Sequence, residues 1–438
     1  MPKAHLTTYS AGLEDRTLQK LATVAYITNQ FPSTVEWYVV EEIRELRRRG
    51  VRVIPCSSRK VDAATLPAGL RELALETLYL EPLKWRSLLR ALLDCLLQFR
   101  SIAEWTVAGL FESSEPATRR ARTLLHTWLG VYYGLLLRDR GVEQIHVHHG
   151  YFSSWIAMVA ARMLGIPFSM TLHGSDLLMH AAHMNTKLRE CEFCITVSEF
   201  NREHIYAHYP TVDRNKVLVQ RLGVEIPANS SKKRVHALGA NRVPVLLAVG
   251  RLHPVKNHVF LLRACSLLRE CGVRFRCLIV GDGPERAKLE FLIQELKIAD
   301  VVTMVGHVPH DDIAEYYEAA DLVLLTSHSE GIPLVLMEAM AHGKIVLAPS
   351  ITGIPELVEA GKTGFLYAAG DLEQFVWQVE QICKSLSALG SIGRAAREHI
   401  LQNFDQYKNL AKFADVFMQR IAHSDRSHAD ENFVLQQI

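Results

Sequence analysis

Short apolar runs alternate with amphipathic helical patterns along most of the chain, and this alternation restricts the fold more than any other feature. The first run, Leu21-Ala-Thr-Val-Ala-Tyr-Ile27, precedes a helical pattern from Val39 to Arg49 and a second run, Val51-Arg-Val-Ile54. A repeated strand, helix, strand order predicts a parallel sheet with right-handed crossovers. Because ligands bind beyond the carboxyl ends of such strands, the loops after them are the candidate sites.

The strand pattern occurs in two series, which predicts two domains. The first series ends with the run at 217–219, and the second begins with the run at 245–249. Residues 224–241 lie between the series and contain few large apolar side chains, as is typical of an interdomain linker. We therefore predict an α/β protein with two parallel-sheet domains, residues 1–223 and 242–405. The remainder, residues 406–438, is predicted to form a helix that crosses back to the first domain, with a frayed tail beyond Ser424.

The strand signals stop between about residues 62 and 140, where a helical insert is predicted in the first domain. Between Leu83 and Phe99 the polar residues form one narrow stripe, and the rest of the helix surface is apolar. Such a helix either packs against its own domain or lies on a membrane, and the first interpretation is favoured because wide apolar stripes more often mark core. A nearby basic cluster, Arg119, Arg120 and Arg122, keeps the second interpretation open.

Composition excludes several classes of protein. The formal net charge of +2 over 438 residues argues against nucleic acid as a partner. No stretch reaches the roughly 18 uninterrupted apolar residues of a membrane span, and the N-terminus lacks a signal-peptide core. We therefore expect a cytoplasmic protein, with peripheral contact at the cytoplasmic face of the membrane left open by the insert. No carboxylate or cysteine stands at ligand spacing beside His146, His148 and His149, so no metal site is predicted.

The stretch from Thr326 to Gly343 places two carboxylates, Glu330 and Glu338, across the start of a predicted helix. Free N–H groups and the positive end of the helix dipole suit this turn to a phosphate or diphosphate. A bound diphosphate repels a nearby carboxylate, so we expect the two carboxylates to bind hydroxyls of a ribose or a hexose. Taken alone, such carboxylates are more often merely solvated. A functional interpretation is favoured because the other candidate residues also follow strand ends and therefore line the same rim.

Two cations follow the run at 245–249, one loop away from that turn. The planar guanidinium of Arg251 can donate two parallel hydrogen bonds to an anion, and the ammonium of Lys256 carries a point charge. The pair suits a diphosphate whose negative charge grows as its bond to a sugar breaks.

The motifs at this rim resemble the retaining glycosyltransferases of family 4, also called glycosyl transferases group 1. The motifs are Gly250-Arg-Leu with Lys256-Asn257, Gly281-Asp-Gly-Pro284, Gly306-His-Val308, and Glu330-Gly-Ile-Pro with Glu338-Ala-Met-Ala-His-Gly343. In the first domain, Phe31-Pro32, Glu36, His146-Val-His148 and His173-Gly-Ser-Asp176 are similar to the branch that builds exopolysaccharides of the colanic acid type. The resemblance implies the GT-B architecture, in which two Rossmann-like, doubly wound parallel-sheet domains face each other across a cleft.

The resemblance also implies roles for individual residues. The catalytic set is Glu330, which orients the donor sugar, His173, which reaches it from the first domain, and Arg251 and Lys256, which hold the diphosphate. The donor-binding set is Glu338 at the ribose, the backbone near Val308 at the base, the N–H groups of Leu334 and Val335 at the phosphates, and Gly250, Gly331 and Ile332. The acceptor-side candidates are Glu36, Gly150 and Asp176.

The implied reaction moves a hexose from a nucleotide-diphosphate sugar to a lipid-linked or polysaccharide acceptor, in exopolysaccharide or cell-surface glycan synthesis. The family works without a cofactor or metal, and retention is attributed to front-face attack in which the leaving phosphate takes the acceptor's proton. The expected partners are a nucleotide sugar and a glycan or polyprenyl-linked acceptor. Two alternatives stay open: a nucleotide-sugar 2-epimerase, and a non-catalytic nucleotide-binding partner in a polysaccharide assembly complex.

Overall fold

Two parallel sheets organise the computed structural model, which describes residues 22–33, 36–97, 99–111, 116–179, 181–228 and 243–435. The first sheet has seven strands in the order β3-β2-β1-β4-β5-β6-β7, and every pairing is parallel. Its strands are β1 Thr23–Gln30, β2 Arg52–Arg59, β3 Leu78–Tyr79, β4 Gln144–His148, β5 Phe168–Leu172, β6 Cys194–Thr196 and β7 Val217–Val219. Strands β4 and β5 are buried along their whole length, although polar and apolar residues alternate in both. Their buried polar side chains bond to one another, as His146 does to Ser169 and Thr171.

Helices cover both faces of this sheet and form the insert. They are α1 Trp37–Arg48, α2 Ala68–Glu76, α3 Trp85–Leu97, α4 Phe99–Phe111, α5 Ala117–Leu137, α6 Phe152–Leu164, α7 Ser175–Leu178, α8 Met184–Glu190 and α9 Glu199–His208. One core lies between the sheet and α5, α6 and α8, and another lies under α1.

The second sheet has six parallel strands in the order β10-β9-β8-β11-β12-β13. Its strands are β8 Val245–Val249, β9 Arg276–Val280, β10 Val302–Gly306, β11 Leu322–Leu324, β12 Ile345–Pro349 and β13 Phe365–Tyr367. Its helices are α10 His258–Glu270, α11 Arg286–Glu295, α12 Ile313–Ala319, α13 Leu334–Ala341, α14 Ile354–Leu357, α15 Leu372–Ser385 and α16 Gly390–Asn403. Apolar cores fill both faces of this sheet as well.

The order of strands reverses once in each sheet, at β1/β4 in the first and at β8/β11 in the second. Ligands bind at such switch points in open parallel sheets. Loops after these four strands carry Glu36, Gly150, Arg251, Lys256 and Glu330. His173 and Asp176 follow β5, and Val308 follows β10, at the same carboxyl ends of the sheets. The predicted fold, two Rossmann-like domains of the GT-B type, is confirmed.

The last helix, α17 Gln406–Leu435, packs against the first domain. Its residues Phe413, Phe417 and Ile421 share a core with Val39 and Ile43 of α1. The chain crosses between the domains twice, near Val224 and near Gln406, and the two crossings lie side by side. The Val224 N–H donates to the Phe404 carbonyl at 2.9 Å, and the Gln406 N–H donates to the Val224 carbonyl at 3.1 Å.

Three expectations differ from the structure. The region from 62 to 140 is not purely helical, because Leu78–Tyr79 pairs with β2 as a two-residue edge strand, too short to show a periodic pattern. The helix α17 extends to Leu435, whereas fraying was predicted beyond Ser424. The apolar face of the insert helix α3 is exposed, against the favoured interpretation that it is core.

Some predictions fall on residues that the structure does not describe. Residues 1–21 of the predicted first domain, residues 229–241 of the predicted linker and residue 242 lie outside the described residues. The limits of the domains therefore stay a prediction.

Candidate active site

Lys256 and Glu330 form the closest pair of predicted catalytic residues. The Lys256 Nζ donates to Glu330 Oε1 at 2.6 Å, and both side chains are largely buried. The backbone of the two loops is also joined, because the Thr326 hydroxyl donates to the carbonyls of Lys256 and Asn257 at 3.0 and 3.2 Å. Asn257 turns the chain with a left-handed φ of 52°, which asparagine tolerates better than most residues. The loop after β8 and the loop after β11 therefore present a cation and a carboxylate as one unit.

The helix α13 begins directly after this unit. Leu334 and Val335 occupy its first turn after Pro333, where an α-helix leaves N–H groups without intrahelical acceptors. The Ile332 side chain is buried in the core beneath the turn and fixes its direction. This geometry gives two N–H donors and a helix dipole near Lys256, as an anion site requires.

Glycines allow the two domains to touch at this point. A Cβ on Gly331 would lie 1.9 Å from the carbonyl oxygen of His173, and a Cβ on Gly174 would lie 2.7 Å from the Gly331 nitrogen. Any side chain at either position collides with the other domain's backbone. The contact holds the His173 turn of the first domain against the Glu330 loop of the second.

Glu338 lies further along α13, away from the Lys256–Glu330 pair. Its Oε2 accepts a hydrogen bond from the Tyr317 hydroxyl at 2.6 Å. Burial raises the pKa of Glu338, and the hydrogen bond from Tyr317 acts in the opposite direction. Val308 follows β10 and packs partly buried against the same core as α13. The tyrosine partner had no signal in the sequence, because α12 carries no motif.

Arg251 extends into the cleft with an exposed side chain. Its charge acts on Tyr151 of the first domain, where burial raises the tyrosine pKa and Arg251 works against that rise. The backbone before it is fixed, since the Gly250 N–H donates to the Val280 carbonyl at 2.9 Å. Within the described part of the chain, the ion pair of Glu330 is with Lys256 and not with Arg251, so the four predicted catalytic residues are not all in contact.

His173 is oriented by a chain of buried polar side chains. Its Nε2 lies 2.9 Å from Nδ1 of His148, whose Nε2 lies 2.9 Å from the Tyr26 hydroxyl and 3.0 Å from a Glu42 carboxylate oxygen. Burial, together with the charge of His149, lowers the pKa of His173 well below its ordinary value, so the ring is neutral. Glu42 was not predicted as a site residue. His148 belongs to the motif His146-Val-His148, but no role was predicted for it.

The acceptor-side candidates converge on His149, which was also missed. Its Nε2 lies 2.9 Å from Glu36 Oε1, and its Nδ1 lies 3.7 Å from Asp176 Oδ2. Burial alone lowers the pKa of His149, but the hydrogen bonds to Asp176 and Glu36 and their charges raise it to about 10. Burial raises the pKa of both carboxylates, and His149 outweighs this effect and leaves both values lowered. The ring is therefore a cation between two carboxylates.

Asp176 also fixes the backbone around the cleft. Its carboxylate accepts N–H donors from Gly150 at 2.9 Å, from Gly174 at 2.7 Å and from His173 at 3.1 Å. The buried Lys187 ammonium donates to the Gly150 carbonyl at 2.8 Å. Gly150 and Asp176 thus hold the turn that presents His173.

A second interdomain contact lies beside the site. Glu356 accepts from the backbone N–H groups of Phe200 at 2.7 Å and Glu199 at 3.0 Å, at the start of α9, and lies 3.3 Å from Arg221. Among the described residues, no group of three or more His, Cys, Asp or Glu side chains is arranged to hold a metal ion. Within the same part of the chain, no helix combines the length and apolar character needed to cross a bilayer.

Family models match both halves of the chain. The model described as Glycosyltransferase Family 4 matches residues 35–226, and the model described as Glycosyl transferases group 1 matches residues 231–399. A D-inositol 3-phosphate glycosyltransferase of Frankia alni is 30% identical over 311 residues, which cover 62% of this chain and 76% of that protein. The chain belongs to glycosyltransferase family 4.

Other relatives give narrower similarities. A putative colanic acid biosynthesis glycosyltransferase, WcaL of Salmonella typhimurium, is 35% identical over 199 residues, covering 44% of this chain. The match spans about half of that relative, 48% of its length. The crystal structure of Anabaena HepE in complex with UDP-glucose covers 91% of this family-4 chain and 99% of its own, with a TM-score of 0.66 and 19% identity, and this likeness concerns the fold.

Proposed function

We propose that the protein is a retaining hexosyltransferase that uses a nucleotide-diphosphate sugar and acts in exopolysaccharide or cell-surface glycan synthesis. Membership of family 4 supports the reaction class. The similarity to a putative colanic acid biosynthesis glycosyltransferase supports the type of product. The observation that carries the proposal is the Lys256–Glu330 unit, held beside the first turn of α13 and against the His173 turn of the other domain.

The donor is proposed to lie along the rim of the second domain. The diphosphate would be held by Arg251, Lys256 and the free N–H groups of Leu334 and Val335, which combine charge with directed hydrogen bonds. Glu338 would accept hydrogen bonds from the ribose, and the base would lie against the backbone near Val308. Because two fixed cations balance the charge of the diphosphate, the proposal requires no metal or other cofactor.

The chemical step is proposed to take place between the two domains. The bond between the anomeric carbon and the phosphate oxygen breaks, while the acceptor oxygen bonds to the same face of that carbon. The acceptor's proton passes to the leaving phosphate oxygen, so no protein nucleophile is required. Lys256 and Arg251 stabilise the charge that develops on the phosphate. Glu330 and His173 would orient the sugar hydroxyls, and Glu36, Gly150 and Asp176 would border the acceptor.

The acceptor is proposed to be a lipid-linked or polysaccharide glycan, met in the cytoplasm at the inner face of the membrane. The acceptor-side residues belong to the first domain, which also carries the helical insert. A peripheral position at the membrane would bring a polyprenyl-linked acceptor to this side of the cleft.

The test is a calorimetric panel of nucleoside diphosphates and their sugars, measured with a chelator present. We expect one nucleotide to bind, and Arg251→Ala and Glu338→Ala to weaken its binding by roughly tenfold or more each. Arg274→Ala is the matched control, because this exposed arginine precedes β9 at the opposite edge of the sheet. Failure of every nucleotide to bind, or binding that ignores both variants, would refute the proposed donor site.

Product analysis separates the two other candidate functions. With a glycan acceptor present, NMR of the product should show that the anomeric configuration of the donor is kept. Formation of an epimeric nucleotide sugar without acceptor would identify a 2-epimerase. Tight nucleotide binding without any turnover on a panel of lipid-linked acceptors would identify a non-catalytic partner.

A further inference from the structure

The helix α3 exposes its apolar face to solvent. Its residues on this face are between 48% and 73% exposed, and they are Trp85, Leu89, Leu92, Leu93, Leu96 and Leu97. At 100° per residue these six side chains occupy one continuous arc of the helix. A monomeric soluble protein rarely leaves so many large apolar side chains together in water, so the face marks an interaction surface.

The opposite side of α3 is fixed against the domain, which explains this orientation. Ala91 is fully buried, and the Trp128 indole N–H of α5 donates to the Leu88 carbonyl at 3.1 Å. Arg138 donates to Asp94 at 3.2 Å. Contacts with α5 and with Arg138, which directly follows it, therefore hold the side of α3 that carries Asp94. The side that carries the exposed leucines consequently faces solvent.

Cations border the apolar face. Arg86 and Arg90 are exposed on α3, and the Arg86 guanidinium lies 5.4 Å from the Trp85 ring centre. Lys84 is exposed just before the helix. Within α3, all of whose residues are described, the single acidic side chain is Asp94, which Arg138 pairs. The exposed face thus joins leucines and a tryptophan to the positive charges of Arg86 and Arg90.

We propose that this α3 face docks on the anionic surface of a lipid bilayer. A helix with a large apolar face, an interfacial tryptophan and flanking arginines inserts at the boundary between headgroups and acyl chains. Negative headgroups complement Arg86 and Arg90. A second copy of the chain would bring the same arginines together without a carboxylate on the face to pair them. The inference deepens the proposed function, on which it rests for the lipid-linked acceptor.

Packing connects this face to the acceptor side of the cleft. The helix α5 packs against both α3 and α6, and it adds the half-exposed Leu124 and Leu125 and the exposed Arg122. The His126 ring of α5 stacks on Phe152 at 5.4 Å, where α6 begins two residues after Gly150. Docking through α3 would therefore bring the acceptor side of the cleft to the lipid surface where a polyprenyl-linked substrate resides.

The experiment is vesicle flotation of the full chain. Vesicles of phosphatidylcholine mixed with phosphatidylglycerol are compared with pure phosphatidylcholine, at low and high salt. We expect binding to the anionic vesicles, weakened by salt because headgroup charge is screened. Leu89→Gln/Leu96→Gln should lower the bound fraction at least about fivefold, and Arg86→Gln/Arg90→Gln should lower it on anionic vesicles only, by about fivefold per arginine.

Phe291→Gln/Trp377→Gln is the matched control. These side chains are 71% and 59% exposed, but they lie singly on the second domain. The control should float like the native chain. Equal binding to neutral and anionic vesicles, no binding, or losses that match those of the control would overturn the inference.

Two further measurements separate the outcomes. Sedimentation velocity tests whether a second copy of the chain occupies the face. If the native chain is a dimer and both α3 double variants are monomers, the face belongs to a dimer interface and the lipid proposal is overturned. Calorimetry with the nucleotide tests the donor site independently. An α3 variant that binds nucleotide normally but does not float leaves the proposed function intact, whereas a native chain that floats but binds no nucleotide refutes the proposed function alone.

Discussion

Nδ1 of His148 lies 2.9 Å from Nε2 of His173, and on its other side His148 reaches the carboxylate of Glu42 at 3.0 Å. A carboxylate only accepts hydrogen bonds, so His148 Nε2 carries a proton toward Glu42. In a neutral His148 ring Nδ1 is then the acceptor, and the neutral His173 ring donates to it from Nε2. Its Nδ1 is left as an acceptor at the cleft. Glu42 thereby selects the tautomer of a histidine that it does not touch.

Glu42→Gln should invert this relay. The amide can donate to His148 Nε2, after which His148 donates from Nδ1 and His173 becomes protonated on Nδ1 instead of Nε2. We expect kcat to fall by roughly 10- to 100-fold, because a donor then replaces an acceptor at the sugar, while nucleotide affinity changes little. NMR of the imidazole nitrogens reports the tautomer, and steady-state kinetics separates kcat from KM.

The neighbouring Glu41 provides the control for this change. It lies on the same helix and pairs with Arg44 at 2.7 Å, at the surface. Glu41→Gln should leave the tautomer and kcat unchanged. A fall in kcat for Glu42→Gln without a change of tautomer would mean that Glu42 acts through the packing of α1 instead.

His149 should make stability depend on pH. Its pKa is about 10 in the folded chain, above the ordinary 6.5 of an unfolded histidine. A group whose folded pKa is raised stabilises the fold fully below the unfolded value and loses that contribution as pH rises through the folded value. We therefore expect the free energy of unfolding to fall between pH 6.5 and about 10, as measured by urea titration across that range.

His149→Gln should remove this pH dependence and cost stability. The change leaves the buried carboxylates of Glu36 and Asp176 facing each other without a cation, at a cost of about 3 kcal/mol at neutral pH. His307→Gln, an exposed histidine of the second domain, should retain the pH dependence of the native chain. An unchanged slope in His149→Gln would show that another group titrates in this range.

The sequence predicted the strands well where a short run consists only of apolar residues. Strands β7 and β8 have the predicted limits, 217–219 and 245–249, because each is such a run. The sequence did not predict β3, because its two residues form a strand only through their pairing with β2. The outward face of α3 could not be predicted either, since α5 decides which side of an amphipathic helix meets the core.

The candidate site likewise has one part that the sequence predicted and one part that it did not. Glu330 and Lys256 follow strand ends in readable motifs, and the structure brings them into contact. The relay around His148 joins residues from β1, α1 and β4, and Tyr26 is 122 positions from its partner. No local pattern encodes such a pairing, because only the order of the strands in the sheet brings its members together.

Gly331→Ala should impair catalysis more than folding. The new Cβ would lie 1.9 Å from the His173 carbonyl oxygen, so the two domains must separate at the cleft to accept it. We expect kcat/KM to fall by about 100-fold, since displacement of about 1 Å at a reacting centre has such effects, with little change in Tm. Gly69→Ala is the control: its Cβ would meet nothing within 4 Å on α2, and activity should be unchanged. Normal activity in Gly331→Ala would show that the contact is not needed for turnover.

Glu356→Ala should destabilise the contact between the two domains because it removes the cap at the start of α9, and not because it removes an ion pair. The carboxylate accepts the N–H groups of Glu199 and Phe200 at the start of α9, and its loss leaves these donors unsatisfied, at a cost of about 1 kcal/mol in the free energy of unfolding. The partner Arg221 is 36% exposed, so Arg221→Ala should cost less, because ion pairs open to water contribute little. Urea titration of both variants decides between the two contributions. A larger loss in Arg221→Ala would assign the stabilisation to the charge pair, whereas a larger loss in Glu356→Ala means that one domain caps a helix of the other.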